Sequence, residues 1–213
     1  MNVPTTNVWL LDTQTGQPKE AELRSGISEQ QLLDWEGEWR PELYKSIQAL
    51  YRAGIDRSQW PQNQSAHWDW RKKVATLQPM ISHSGFCIVC DGMTEGMMLL
   101  DTVRGRCQID EQKGKNLVYI DYVENAPWNR PELGTPPRFK GIGSILVGAA
   151  IRLSHAEEFK GRLGLHSLPQ ADDFYARTCG MTDLGPDSDK QNLRYFEMTS
   201  AQADAFIAKG MNQ

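Results

Sequence analysis

Arg138-Phe139-Lys140-Gly141-Ile142-Gly143 decides the fold, because it sets two glycines one residue apart at the mouth of an amphipathic helix. From Ile142 the apolar residues recur at Ile145, Leu146, Ala149, Ala150, Leu153 and Ala156, the spacing of one buried helical face. This predicts a helix that starts at the glycines and stops at Lys160-Gly161, a basic residue followed by glycine where the chain turns left-handed. Upstream, Leu117 to Val123 is rich in β-branched and aromatic residues and reads as a strand. The unit is strand, glycine loop, helix. Glycines in such a loop let backbone N–H groups approach an anion with no Cβ in the way, and the helix N-terminus offers about half a positive charge. A phosphate is the ligand this favours; a tight turn that binds nothing is the plainer alternative.

Two nucleotide readings fail. A P-loop needs G-x-x-x-x-G-K-[ST], and no such run exists. A dinucleotide fingerprint needs a third glycine and an acidic residue at the end of the following strand. That predicted strand, Arg162 to Leu168, ends in Ser167 and Leu168.

With 213 residues the chain is long enough to bury a core as a single domain. Its net charge is −4 and its longest basic cluster is Arg71-Lys72-Lys73, which argues against a nucleic-acid partner and suits a cationic or amine-bearing one. No apolar run approaches the ~20 residues of a membrane span, and Met1 to Thr6 lacks the charged and apolar regions of a signal peptide, so a cytoplasmic protein with no membrane partner is expected. Cys87 and Cys90 form a C-x-x-C, but Phe86 to Cys90 reads as a buried strand, on which a spacing of three puts the thiols on opposite faces. Small buried hydrophobes are therefore expected in place of a redox or zinc pair. His67, His83, His155 and His166 show no ligand spacing, and no metal is expected.

Along the chain, strands are predicted at Val8 to Asp12 and around Ala21 to Arg24. Ser28 to Gln31 is a capping box with Ile27 and Leu32 as its staple, so a helix begins there; Pro41 either interrupts it or starts a second one that ends at Gly54. A further helix is expected from Ala66 to Gln78. Trp35, Trp39, Trp60, Trp68 and Trp70 in this part either pack helices on a sheet or wall an acceptor pocket. Phe86 to Cys90 and Gly96 to Leu100 read as a hairpin with a short extension around Asp91-Gly92. After the long helix come a strand at 162 to 168, a short helix at about 170 to 179, a last strand from Asn192 to Met198 and a C-terminal helix after Thr199.

One strand after R-x-x-G-x-G the chain reads Ala171-Asp172-Asp173-Phe174-Tyr175-Ala176-Arg177-Thr178-Cys179-Gly180-Met181. Together the two stretches resemble the GNAT acyltransferase superfamily, whose acetyl-CoA pyrophosphate loop reads [RQ]-x-x-G-x-[GA] and whose next helix carries A-x-x-x-Y, then glycine and an apolar residue. Arg138, Gly141 and Gly143 match the first pattern; Ala171, Tyr175, Gly180 and Met181 match the second. The resemblance spans roughly residues 85 to 198. It departs from the pattern in three places. Gly180 lies five residues after Tyr175 instead of four, which leaves Tyr175 and Phe174 as alternatives for the side chain in the site; Pro169 stands where many relatives have asparagine; and a proline-dense loop from Asn125 to Pro137 precedes the glycines and is expected to line the acceptor side.

The resemblance implies an α+β fold in α/β/α layers: a mixed, mostly antiparallel sheet with a splayed central strand pair, flanked by helices. It implies one domain over 1–213, with an N-terminal part (1–84), an acetyl-CoA-binding core (85–198) and a C-terminal helix (199–213). The implied activity is N-acetyl transfer from acetyl-CoA, a cosubstrate, to an amine, with no metal. Arg138, Phe139, Lys140, Gly141, Ile142, Gly143 and Ser144 would hold the pyrophosphate, and Val123 and Asn125 the pantetheine arm. Tyr175 would protonate the departing thiolate, whose thiol pKa of about 8.5 lies below that of a phenol at about 10. A protonated amine must also lose a proton. Glu124 is the first candidate to accept it, with Asp121 and His166 as alternatives. Direct attack is expected, since Cys179 has no evident base partner. The acceptor would be a small-molecule amine or peptide and the protein a monomer or homodimer. Two other readings stand beside this one: a non-catalytic acyl-CoA-binding domain, and acylation of a protein or tRNA, which would need a basic rim.

Overall fold

The computed structural model describes residues 4–56, 65–133 and 136–210; Trp60 and Gly134 lie outside them. The chain opens with the antiparallel pair β1 (Thr5–Asp12) and β2 (Pro18–Ser25), in register Val8 to Ala21. Helix α1 (Glu29–Asp34) starts as the capping box predicts, with the Ser28 N–H donating to Gln31 Oε1 at 3.1 Å. It runs into α2 (Arg40–Arg52) through a π-helical turn at Trp35–Trp39. Pro41 therefore neither breaks the helix nor starts a separate one: the turn just before it is one residue wider. Helix α3 (Trp70–Leu77) begins four residues later than expected because Asp69 caps it, accepting from the Lys72 N–H at 3.0 Å.

Strands β3 (His83–Cys90) and β4 (Met93–Asp101) meet in a two-residue turn, Asp91 (φ 50°) and Gly92 (φ 78°), both left-handed. The expected extension is absent, and the tight turn sets Cys90 opposite Met93, so β4 gains Met93 to Glu95. β5 (Val118–Asn125) leads through the proline-dense loop to the short β6 (Phe139–Lys140) and α4 (Ile142–Ala156). That helix stops at Ala156, short of Lys160-Gly161, because left-handed Glu158 already turns the chain. β7 (Leu163–Ser167), β8 (Thr182–Asp187), β9 (Leu193–Met198) and α5 (Ser200–Gly210) complete the fold. β8 was not expected: Pro186 and the register shift between Asp183 and Pro186 in its pairing with β9 hide its period.

The nine strands among the described residues form one sheet in the order β6-β1-β2-β3-β4-β5-β7-β9-β8, antiparallel except for β5 with β7. Both faces are covered, which is why β3 and β4 read as continuous apolar runs. Ile88, Cys90, Met98 and Leu100 join α4 in one cluster, while Cys87, Val89, Met97 and Leu99 join Trp35, Trp39 and Trp70 in the other. Cys87 and Cys90 thus sit on opposite faces as free thiols, as their spacing predicts. The result is the mixed, mostly antiparallel α/β/α sandwich that the sequence implied.

Candidate active site

β5 and β7 stay paired for only three residues, Val118 with Leu163, Tyr119 with Gly164 and Ile120 with Leu165. Beyond them the strands part. The cause is a bulge: Tyr122 faces Leu99 and Ile120 faces Leu100 on β4, which leaves Asp121 extra and bends β5. A cavity of about 1030 Å³ fills the wedge, with Asp121 to Asn125 on one side, His166 to Leu168 on the other and the loop Phe139 to Ser144 along it. The splayed strand pair and the glycine loop therefore open into the same space.

The loop owes its shape to both neighbours. β6 pairs Lys140 with Leu11 of β1, and Gly141 then takes φ 101°, a conformation that favours glycine. The first intrahelical bond of α4 runs from the Ile145 N–H to the Gly141 carbonyl at 2.9 Å, so the Ile142, Gly143 and Ser144 N–H groups come before the helical ladder. Gly143 has a second reason to be glycine: a Cβ there would lie 3.0 Å from Phe174 Cζ. Behind the loop stands Glu95, fully buried, which accepts from Trp128 Nε1 and Asn129 Nδ2, both at 2.6 Å. Asn129 Oδ1 in turn accepts from the Phe139 N–H at 2.8 Å, so this carboxylate positions the strand that leads into the glycines. Burial raises the Glu95 carboxyl above its usual range. Arg138 points to this anchor, 3.5 Å from Glu95 and 3.4 Å from Asp91; of the seven residues expected to hold pyrophosphate it is the one outside the cavity wall.

Glu124 lines the cavity with its side chain 9% exposed. Oε2 accepts from Trp70 Nε1 at 2.6 Å, while Oε1 accepts from Ser65 Oγ at 2.8 Å and lies 3.4 Å from Arg130 Nη1. Burial pushes its carboxyl up, against the opposing pull of these donors. A carboxylate has about four lone-pair sites, so the three contacts leave capacity for a proton. Trp70, Ser65 and Arg130 were not expected in this role; they converge from separate parts of the chain.

Tyr175 and Phe174 both line the cavity. Residues Phe174–Thr178 form a π-helical turn, closed by the Cys179 N–H on the Phe174 carbonyl at 3.0 Å, and this wide turn absorbs the extra residue between Tyr175 and Gly180. The two side chains divide the work. Phe174 packs against Gly143, while Tyr175 is 4% exposed among core residues, 5.9 Å from the Phe196 ring. Burial raises the Tyr175 phenol well above its ordinary value, which keeps it protonated.

The alternative bases are otherwise engaged. His166 Nδ1 lies 2.6 Å from the Tyr119 hydroxyl and Nε2 lies 2.9 Å from Asp187, so both ring nitrogens have protein partners; burial lowers its pKa. Asp121 Oδ1 accepts from Arg104 Nη1 at 2.9 Å. The tryptophans split between the two readings. Trp35, Trp39 and Trp70 are core, whereas Trp68 walls the cavity edge-on to Tyr122 at 5.1 Å. The ammonium of Lys73 sits 3.2 Å from the Tyr122 ring centroid, and burial lowers its pKa to about 8. The proline-dense loop contributes Asn129, Arg130, Pro131, Glu132 and Pro137 to the wall.

A bulged strand that splays from its parallel neighbour over a glycine-led helix defines the GNAT fold, and this chain has it. No family model matches the sequence, and no curated protein does. Solved structures share the architecture at low identity. RimJ of Mycobacterium smegmatis, in complex with CoA-disulfide, is 14% identical with a TM-score of 0.52, over 97% of this chain and 95% of that one. FeeM, an N-acyl amino acid synthase from uncultured soil microbes, is 12% identical with a TM-score of 0.50, over 87% and 94%. A putative arylalkylamine N-acetyltransferase from the yellow fever mosquito Aedes aegypti is 11% identical with a TM-score of 0.51, over 93% and 97%.

Proposed function

We propose that this protein is an acetyl-CoA-dependent N-acetyltransferase acting on a small-molecule amine or peptide by direct attack. One observation carries the reading: the wedge between β5 and β7, the start of α4, Glu124 and Tyr175 all border one cavity. The pyrophosphate is held by the N–H groups from Gly141 to Ser144, and the pantetheine arm pairs with β5 at Val123 and Asn125, where β7 has moved away. Glu124 accepts the proton of the acceptor ammonium and the amine attacks the thioester carbonyl; as the tetrahedral intermediate collapses the C–S bond breaks, Tyr175 protonates the departing thiolate, and the second proton shed by the nitrogen restores the phenol. Burial supports the role of Glu124, since it makes a carboxylate a stronger base; it also makes the Tyr175 phenol a weaker acid, so that proton transfer rests on close placement of the hydroxyl at the thiolate.

The cavity wall carries Lys73, Arg130, Lys140 and Lys190 against Asp121, Glu124, Glu132 and Asp189. Such a balanced rim supports a small acceptor over tRNA. Tyr175 in the wall supports catalysis over a purely binding role. Four free buried thiols fit a cytoplasmic setting, and no described helix is long and apolar enough to cross a membrane.

The test is a thermal shift with acetyl-CoA, followed by measurement of CoA release against a panel of amines and peptides. At a ligand concentration 100 times the dissociation constant, binding stabilises by about 2.7 kcal/mol. No shift at millimolar acetyl-CoA refutes the donor assignment; a shift with no CoA release against any acceptor favours the binding domain.

A further inference from the structure

His83, Asp101 and Asp121 come from the start of β3, the end of β4 and the bulge of β5, and their side chains are only 6%, 8% and 6% exposed. Three of their donor atoms, His83 Nε2, Asp101 Oδ2 and Asp121 Oδ2, converge: Nε2 lies 3.4 Å from Asp121 Oδ2 and 3.6 Å from Asp101 Oδ2, and all three fall within 4.8 Å of one another. The outward-facing atoms are already in use. Asp101 Oδ1 accepts from the Val103 and Arg104 N–H groups at 2.7 and 3.2 Å, Asp121 Oδ1 accepts from Arg104, and His83 Nδ1 lies 2.9 Å from Ser82 Oγ. A hydrogen on Nδ1 donated to Ser82 leaves the Nε2 lone pair facing the carboxylates. Asp121 Oδ2, by contrast, is buried and accepts no hydrogen bond.

An imidazolium between two carboxylates does not account for this geometry. Charge-assisted N–H···O bonds are about 2.7–2.9 Å long, and the single Nε2 hydrogen can point at only one oxygen. The two separations from His83 Nε2 match a different object: with metal–ligand bonds of about 2.0–2.1 Å, the edge of a coordination tetrahedron is about 3.4 Å. Imidazole with carboxylates suits zinc and its first-row divalent neighbours better than calcium, and hydrogen bonds to the outer atoms of all three ligands are what such sites use for orientation.

We propose that His83, Asp101 and Asp121 bind one divalent first-row transition metal, with zinc as the probe ion. The metal fastens the bulged residue of β5 to β3 and β4, and so holds the bend that opens the cavity. It takes no part in the proposed acyl transfer, and the proposal stands whether or not that activity does.

The experiment uses the full-length chain without a histidine tag, dialysed against chelator and titrated with Zn²⁺ by calorimetry and with Co²⁺ by visible absorption. The expected result is one ion per chain, a melting temperature that rises with Zn²⁺, and a Co²⁺ spectrum of low-symmetry nitrogen and oxygen ligation. Asp121→Asn and His83→Gln should each weaken Zn²⁺ binding by at least tenfold. Arg104→Ala, which spares all three ligands and removes the orienting partner of Asp121 together with a contact on the Tyr119 ring, should weaken it by about 10- to 100-fold. No stoichiometric uptake by the wild type, or uptake unchanged in both ligand variants, overturns the proposal. Should a ligand variant fail to fold, the wild-type Co²⁺ spectrum and the Arg104→Ala affinity decide the question.

Discussion

Glu124→Gln separates the acid–base role of this residue from its structural one. The side chain keeps its volume, and the amide oxygen can still accept from Trp70 Nε1, which needs an acceptor at 2.6 Å. The amide nitrogen then falls on the side of Ser65 and Arg130. The Ser65 hydroxyl can rotate to accept, and Arg130 keeps Glu132 at 2.8 Å, so the loss is about one charge-assisted hydrogen bond, roughly 1.5–3 kcal/mol. For a chain of this length each kcal/mol lowers the melting temperature by about 2–4 °C, so a fall of about 3–12 °C is expected. The folded-state pKa of Glu124 is raised, so its contribution to stability is full below the unfolded carboxyl pKa and lost as pH rises through the folded value. The neutral glutamine does not follow that loss, and the stability gap narrows as pH increases. Turnover should fall by about 10² to 10⁴, the usual worth of a positioned base. The assay is CoA release as a function of pH. The wild type should show an acid limb above the ordinary carboxylate range, and the variant should lack it while retaining its acetyl-CoA thermal shift. A pH–rate profile superimposable on wild type, with the melting temperature lowered, would show that Glu124 only anchors Trp70 and Arg130.

Three further outcomes are expected. Tyr175→Phe keeps the ring in its core site and should lower turnover by about 10² to 10⁴ at unchanged acetyl-CoA affinity, whereas Phe174→Leu loses packing on Gly143 and should lower stability first; unchanged turnover in Tyr175→Phe removes the general acid. Ser144→Asp puts a negative charge in the first turn of α4, which should stabilise the free protein by about 0.3–1 kcal/mol and yet abolish the acetyl-CoA thermal shift; a retained shift would place the pyrophosphate elsewhere. Lys73→Met removes an ammonium whose folded pKa is lowered to about 8. A depressed value means the wild type regains stability above it, so the melting temperature of wild type relative to Lys73→Met should rise between pH 8 and 10, and a pH-independent difference would contradict the burial of that charge.

The elements that the sequence revealed are those whose signal is local. The glycines at 141 and 143, the apolar face from Ile142 to Ala156 and the Asp91-Gly92 turn each determine their own backbone, and each forms close to where the residues place it. The elements it concealed depend on partners elsewhere. β8 exists because β9 offers an edge to pair with, and α4 ends early because of a left-handed residue, Glu158, that carries no glycine to announce it. In the site, the cavity-facing loop could be read because its chemistry is a run of neighbours. The shell around Glu124 could not: Ser65, Trp70 and Arg130 meet only in the fold. His83, Asp101 and Asp121 are likewise about twenty residues apart and come together only across three paired strands.

The bulge at Asp121 links these features, and it has no signature in the residues around it. Val118 and Ile120 face the α4 side of the sheet. Strict alternation would send Tyr122 and Glu124 to that same side. Instead Val123 packs there, while Tyr122 joins the cluster of Trp70 on the opposite face and Glu124 bonds to Trp70 itself. One inserted residue has reversed the parity of the strand, as a one-residue slip must. The same insertion turns β5 away from β7 and leaves Asp121 beside His83 and Asp101. A carboxylate that alternation would bury under α4 is thereby delivered to the cavity wall, so the placement of Glu124 as a base rests on the bulge as much as on its own side chain.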